Sequence, residues 1–181
     1  MSGLRSVTRE QNYELVRGYK RSACRLEALQ EYRVPQEVER LAAFLEGRPM
    51  PPRPENSHQM IRDLVAAGAW IGRVHIVDLP LTDYLRFELA CYPDSVAVGE
   101  DIRIARRDAH PGLADLTEEF LIIDDEIVLF VRYTADGQVI GYEHSDDPDD
   151  AAKYAAQRDF ALAHAVPLDE FVASLPKEQR S

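Results

Sequence analysis

Two runs rich in Ile, Val, Phe and Tyr, Phe120–Ile123 and Ile127–Tyr133, are separated only by Asp124, Asp125 and Glu126. Such residues favour a pleated, part-buried surface. A short polar break between two of these runs predicts a tight hairpin. Ala135-Asp136-Gly137-Gln138 is a second turn signal, because Asp-Gly accepts positive φ. Val139–Tyr142 then supplies the third strand of a meander.

Upstream the pattern alternates between helical and extended. Tyr13, Val16 and Tyr19 at i, i+3 spacing predict a short helix over Glu10–Tyr19. Ser22–Tyr32 is ambiguous: Cys24, Leu26 and Ala28 alternate as in a strand, whereas Leu26 and Leu29 fit a helix, and an extended segment over Cys24–Ala28 is preferred. Pro35 in a first turn, Glu37 and Glu39 behind it, and Gly47 as C-cap mark a helix over Pro35–Glu46. Its expected apolar stripe is Val38, Leu41, Ala42 and Leu45. Four prolines between Pro49 and Pro54 end any regular element. Asn56 or Ser57 caps the next helix, which turns Met60, Ile61, Leu64 and Val65 to the core and ends at Gly68. Trp70–Val77 reads as a strand. Leu81–Tyr92 reads as a helix capped by Thr82 and stopped by Pro93. A short strand over Asp101–Ala105 and a loop with one helical turn over Arg106–Glu118 lead into the meander. Beyond it, Asp149 or Asp150 caps an alanine-rich helix to His164, and Pro167 opens a last short helix bearing Leu168, Phe171 and Val172. Residues 1–8 are expected to fray, and Lys177–Ser181 to form a polar tail.

This order predicts an α+β fold: a central mixed β-sheet with a C-terminal meander, packed by helices. At 181 residues one domain is expected, with residues 1–48 a helical N-terminal part, 49–55 a proline-rich connector and 56–175 the sheet-containing core. Apolar residues at 45 % and charged ones at 29 % suit a soluble globular chain. No run approaches a membrane span, and Glu10 and Glu14 interrupt the N-terminus where a secretory signal would be apolar. Cys24 and Cys91 lack metal-site spacing and read as small buried hydrophobes in a reducing, cytoplasmic compartment.

Charge is unevenly placed. The net of −11 divides into +1 over residues 1–90 and −12 over residues 91–181. An acidic C-terminal half disfavours non-specific contact with nucleic acid and permits docking onto a basic partner. It also serves solubility alone.

Candidate chemistry centres on arginines. Arg86 and Glu88 lie inside the apolar segment Leu85–Leu89, and Asp101 and Arg103 form a second charged pair at a strand start. With Arg21 and Arg25 they make a candidate surface for an anionic ligand or a protein partner, since guanidinium groups hold anions in bidentate fashion. Structural salt bridges are the competing account. Asp124, Asp125 and Glu126 are neighbours in a turn and point apart, which suits magnesium poorly, and Asp146–Asp150 lacks the glycine and distal glutamate of a calcium loop. Among the five histidines, His75 suits a satisfied core position and His110 stands beside Arg106 and Arg107. No Gly-x-Ser-x-Gly, P-loop or Gly-x-Gly-x-x-Gly occurs. No catalytic residue, metal or cofactor is therefore expected.

Several segments together resemble a known family. Tyr19-Lys-Arg-Ser-Ala-Cys-Arg-Leu-Glu27, Tyr32-x-Val-Pro35, Phe44-Leu-x-Gly47, Leu81-x-Asp-Tyr-Leu-Arg-Phe-Glu88, Gly99-Glu-Asp-Ile-Arg103, Phe120-Leu-Ile-Ile-Asp-Asp125 and Asp136-Gly137 are similar to the pattern of an actinobacterial family, the DUF6879 type, over roughly residues 9–173. The resemblance implies an accessory role in regulation, with a helix-turn-helix regulator or a small acidic protein as partner. The hydrophobic strand ending in Asp-Asp also resembles, distantly, phospholipase D-type domains and related effector domains of transcription regulators. Those enzymes need His-x-Lys, and none of Lys20, Lys153 and Lys177 follows a histidine at that spacing. The resemblance thus implies non-catalytic binding. A phosphoester hydrolase or nuclease is the second reading. Direct DNA binding through a basic N-terminal face is the third.

Overall fold

A computed structural model describes residues 3–18, 20–53 and 58–180. Eight strands among them form one sheet: β1 (Arg5–Val7), β2 (Ser22–Glu27), β3 (Trp70–Val77), β4 (Asp101–Arg106), β5 (Phe120–Ile123), β6 (Ile127–Tyr133), β7 (Val139–Ser145) and β8 (Val166–Pro167). Their order is β1-β7-β6-β5-β2-β3-β4-β8. Only β2, β3 and β4 run parallel, joined by helical crossovers; every other pairing is antiparallel. The helices are α1 (Arg9–Arg17), α2 (Val38–Leu45), α3 (Gln59–Ala66), α4 (Asp83–Val96), α5 (Pro111–Ala114), α6 (Pro148–Ala163) and α7 (Leu168–Ser174). This is the expected α+β fold with its mixed sheet and C-terminal meander.

The period-two alternation of strands assigns each face. Cys24, Leu26, Val74, Ile76, Phe120, Ile122 and Phe130 pack on one side with Tyr154 and Ala161 of α6. On the other side, Ala23, Ile71, Ile123 and Leu129 meet Ile61, Leu64 and Val65 of α3. Ile102 and Ile104 meet Leu85 and Leu89 of α4 and Leu168 and Phe171 of α7 on that same side. Arg25, Glu27, Arg73 and His75 occupy the remaining positions of this second face, with Arg25 beside Arg73 and Glu27 beside His75 in the parallel register. Alternation thus carries four ionisable side chains beneath α4.

Several local expectations change. The N-terminal part is not purely helical: β1 pairs with β7, so residues 5–7 are held rather than frayed, and β2 lies between β5 and β3. β7 continues past Tyr142 to Ser145 because β1 and β6 satisfy its backbone on both sides. In α2 the stripe is rotated: Arg40 and Ala43 are buried, while Val38 is 66 % exposed and Leu45 50 %. Arg40 turns inward to donate to the Pro51 carbonyl at 3.0 Å and to the Cys91 sulfur at 3.4 Å, so the proline-rich connector folds back on this helix. Pro93 does not stop α4; it sits on the exposed side of the helix, where its ring meets no packed layer. Asp147, with Pro148 behind it, caps α6 in place of Asp149 or Asp150. The Gln179 side chain accepts from the Leu81 N–H at 2.6 Å, which ties the supposed polar tail to the body. The expected caps Asn56 and Ser57, and Tyr19, lie outside the described residues. Cys24 and Cys91 are free and buried. Among the described residues no helix is long and apolar enough to cross a membrane.

Candidate functional site

The ionisable residues that alternation places under α4 form one connected network that runs from Glu27 and His75, near the carboxyl ends of β2 and β3, back through Arg73 in mid-strand to Glu100 before β4. In open parallel sheets the carboxyl end is where ligands bind. Arg73 is its hub. Its NH1 donates to both oxygens of Glu27, at 3.0 and 3.1 Å, and its Nε to Oε1 of Glu100 at 2.9 Å. Arg25 reaches Glu27 from the rim at 3.5 Å, with its side chain 47 % exposed. Burial alone would raise the Glu27 carboxyl, but Arg73 foremost, and Arg25, outweigh it and hold the group at about 2.

His75 is fully buried. Its Nε2 faces the Leu29 carbonyl at 2.9 Å, so that nitrogen carries the proton, and Nδ1 accepts from the Tyr92 hydroxyl at 2.8 Å. Burial lowers its pKa against the pull of Glu27, which keeps the ring neutral. Glu88 of α4 lies 3.6 Å from Nδ1. Burial, then the charge of Glu27, pushes its pKa well up. On the other flank, Glu119 accepts from the Ala28 and Leu29 N–H groups at 2.6 and 2.7 Å and from the Tyr32 hydroxyl at 2.8 Å. Burial and the nearby Glu27 raise it to about 7. The Tyr32 ring covers this flank, edge-on to His75 and Tyr133.

Both ring nitrogens of His75 are occupied, and the cations are matched by carboxylates, while the buried Oε2 atoms of Glu88 and Glu100 have no hydrogen-bond partner. The network can hold a fixed arrangement of charge under α4; it offers no free nucleophile. Sequence reasoning placed Arg25 and Glu88 here and missed Glu27, Arg73, Glu100 and Glu119.

The other proposed residues lie apart. Arg21 is at the β5–β6 hairpin, paired with Glu126 at 2.8 Å, and its N–H donates to Asp124 at 2.7 Å. Arg86 is on the outer side of α4 with Asp83, at 2.9 Å. Asp101 and Arg103 pair with each other at 3.2 Å on β4, and alternation puts them on the sheet face opposite Arg25. The six therefore do not form one surface, and each arginine among them faces a carboxylate of its own chain.

Arg86 and Asp101 do share one feature, a groove of about 870 Å³. It runs between α4, the start of β4 and α7, with Leu89, Pro93, Ile102, Leu168 and Val172 among its walls. Glu100 also lines it, which connects the groove to the buried network.

The acidic stretches are spent internally. Asp124 accepts from the N–H groups of Lys20, Arg21 and Ser22, Asp125 pairs with Arg158, and Asp150 accepts from Ser145. Among the described residues no three His, Cys, Asp or Glu side chains are disposed to hold a metal ion. His110 stacks near Phe160 and His164, and its Nδ1 accepts from Gly112, away from the network.

Comparison with known proteins places the chain. A family model described as a domain of unknown function, DUF6879, matches residues 10–173. No curated protein sequence matches. Among solved structures, Nuc from Salmonella typhimurium, a phospholipase D family member, is similar with a TM-score of 0.55 at 11 % identity, over 92 % of this chain and 95 % of that one. NucT from Helicobacter pylori is similar with a TM-score of 0.51 at 11 % identity, over 92 % and 98 %. TrmBL2, an archaeal chromatin protein described as binding DNA in a novel mode, matches with a TM-score of 0.51 at 12 % identity, over 92 % of this chain and 54 % of that one. At such identities the likeness is one of fold.

Proposed function

The chain belongs to the DUF6879 family of domains of unknown function, and we propose that it works as a non-catalytic accessory domain, using a phospholipase D-like fold to bind a protein partner or small ligand in a regulatory setting. The observation that carries this is the committed histidine. His75, the one histidine in the network, has both nitrogens committed, to Leu29 and Tyr92. Two positions beyond the five histidines stand Met60, Val77, Gly112, Asp146 and Val166, so the His-x-Lys pair such enzymes need does not occur. A phosphoester hydrolase would need a nucleophile or a base with a free lone pair.

The helix-turn-helix regulator or small acidic protein implied by the family resemblance remains the expected class of partner. An anionic ligand would have to displace a carboxylate from Arg21, Arg25, Arg86 or Arg103. Of these, Arg86 stands at the groove and is the one to test. The experiment pairs two measurements. Purified protein is incubated with bis(p-nitrophenyl) phosphate and with supercoiled plasmid, with and without magnesium; no turnover above buffer is expected. Arg86→Ala is then compared with wild type in pull-down from host lysate; partner recovery is expected to fall while Tm barely moves, because the Asp83 half of the Asp83–Arg86 pair is 67 % exposed and such a pair contributes only about 0.5 kcal/mol. Hydrolysis that co-purifies with the protein and disappears in His75→Ala overturns the reading. A collapse of Tm in Arg86→Ala assigns that residue to architecture instead.

A further inference from the structure

A second groove, of about 800 Å³, opens between the start of α1, β7 and the first turns of α2. Tyr32 and Tyr84 spend their hydroxyls on Glu119 and Glu37, at 2.8 and 2.7 Å, and contribute ring surface to its wall. Val38 and Val139 line it too, and they are 66 % and 39 % exposed. Apolar surface left in water along a concave wall of this size is what a binding site offers.

The polar side chains of the groove are donors with nothing to hold. Arg9, Gln36, Gln138 and Tyr142 line it, and among the described residues none of these four side chains has a hydrogen-bond or ion-pair partner. Each carries an N–H or O–H donor. Arg9 is exposed, at the first position of α1. Arg33 is the second cation of the wall; it pairs at 3.2 Å with Asp136, which is not part of the lining, and both side chains are more than half exposed. Among the described residues Glu37 is the one carboxylate of the lining, and its Oε2 already accepts from Tyr84. Glu10 feels the charge of Arg9 but stands outside the wall. Unlike Arg21, Arg25, Arg86 and Arg103, Arg9 has no carboxylate for a ligand to displace.

Resting on the binding role proposed above, we propose that this groove takes a small organic carboxylate, an apolar body carrying one anionic head. The head accepts from the Arg9 guanidinium, whose fork fits a carboxylate in bidentate fashion. The body lies on the tyrosine rings and the two exposed valines. A protonated amine of the same body would face two guanidinium groups and one carboxylate that is already engaged. A neutral alcohol would use the apolar wall alone.

The test uses 4-phenylbutyrate, 4-phenylbutanol and 4-phenylbutylamine as probes of matched body, titrated calorimetrically into the full chain at pH 7 and low ionic strength. Phenylbutyrate is expected to bind one to one, the alcohol about tenfold or more weakly, which is the worth of a charge-assisted hydrogen bond, and the amine not at all. Arg9→Gln is expected to weaken phenylbutyrate by a similar factor and to leave the alcohol unchanged. Arg62→Gln makes the same change of net charge on α3, outside the groove, and is expected to change nothing. Val38→Asp places a carboxylate on the wall at the start of α2, where a helix accommodates it; phenylbutyrate binding is expected to vanish with Tm retained. Amine bound as tightly as acid, Arg62→Gln as damaging as Arg9→Gln, acid binding untouched by Val38→Asp, or no acid binding at all overturns the proposal. The Arg86→Ala pull-down and the phosphodiester assay read the wider binding role separately, so either can fail without the other.

Discussion

Replacing Arg73 with methionine keeps most of the side-chain volume and removes the charge that joins two buried carboxylates. Glu27 and Glu100 are each 5 % exposed, and Arg73 contacts both. Two routes give the cost. Removing one partner of a buried ion pair typically destabilises by about 3–5 kcal/mol, because the remaining charge is left in a poor solvent. Independently, the Glu27 carboxyl moves from an ordinary value of 4.5 to about 2, and at about 1.4 kcal/mol per pH unit that is roughly 3 kcal/mol of folded-state preference for the ionised form, of which Arg73 is the leading favourable source. For a chain of this length, 3–5 kcal/mol corresponds to a fall in Tm of roughly 6–20 °C. The assay is urea unfolding followed by the fluorescence of Trp70, the single tryptophan, at the start of β3. The sign with pH is fixed. A carboxyl depressed in the folded state contributes its stability above its unfolded value and loses it as pH falls towards the folded one. The gap between wild type and Arg73→Met is therefore full at pH 7 and narrows below pH 4.5, towards pH 2. Arg73→Met with Glu27→Gln should recover part of the loss. A gap under about 1 kcal/mol at pH 7, or one that stays constant down to pH 3, refutes the claim that Arg73 neutralises a dry pair.

Glu119 gives the opposite pH arm: its folded value of about 7 lies above 4.5, so its contribution is complete below pH 4.5 and is gone above pH 7, and Glu119→Gln should be more stable than wild type at pH 8 by up to about 3 kcal/mol in the same urea assay. Gly137→Ala should cost more than about 1 kcal/mol, read as a lower urea midpoint; the glycine has φ of 81° and a Cβ there would come within 2.4 Å of the Glu31 carbonyl oxygen. Asp124→Ala should cost about 1–3 kcal/mol by removing the acceptor of three N–H groups, with Asp124→Asn losing less because it keeps an oxygen and tolerates the φ of 53°; equal losses in the two variants would count against the hydrogen bonds.

Local periodicity carried the strands well. Trp70–Val77 and the two hydrophobic strands around Asp124 match β3, β5 and β6, because their branched and aromatic residues admit little else. It failed where a neighbour decides. β7 continues through Glu143 and His144, which have no strong extended preference, since partners on both sides close its ladder. Val38 and Leu45 look like core residues, yet the connector takes the inner side of α2 and draws Arg40 in. The charged network was half legible. Arg25-x-Glu27 and Arg73-x-His75 are two polar pairs at spacing two in otherwise apolar strands, and setting those strands side by side would have found the hub. Glu100 and Glu119 each sit one residue before a strand, where a charged residue is ordinary, so only the fold reveals their burial. Arg86, Asp101 and Arg103 drew notice through apolar surroundings in sequence, whereas in space they lie on the outside of a helix and the far face of a sheet.

The first strand is only three residues long, yet it decides what the sheet presents at one end. β1 covers the outer rim of β7, and the Arg5–Asp146 pair fastens it there. Without it, β7 would become a seven-residue border with open backbone donors and acceptors and with Val139 and Ile140, already 39 % and 65 % exposed, beside them. Such a border is a template for other chains. At the opposite end, Pro167 in β8 blunts the row by lacking an N–H. The leading residues are thus a guard against self-association, and a version trimmed before Thr8 should be judged by light scattering as much as by its melting curve.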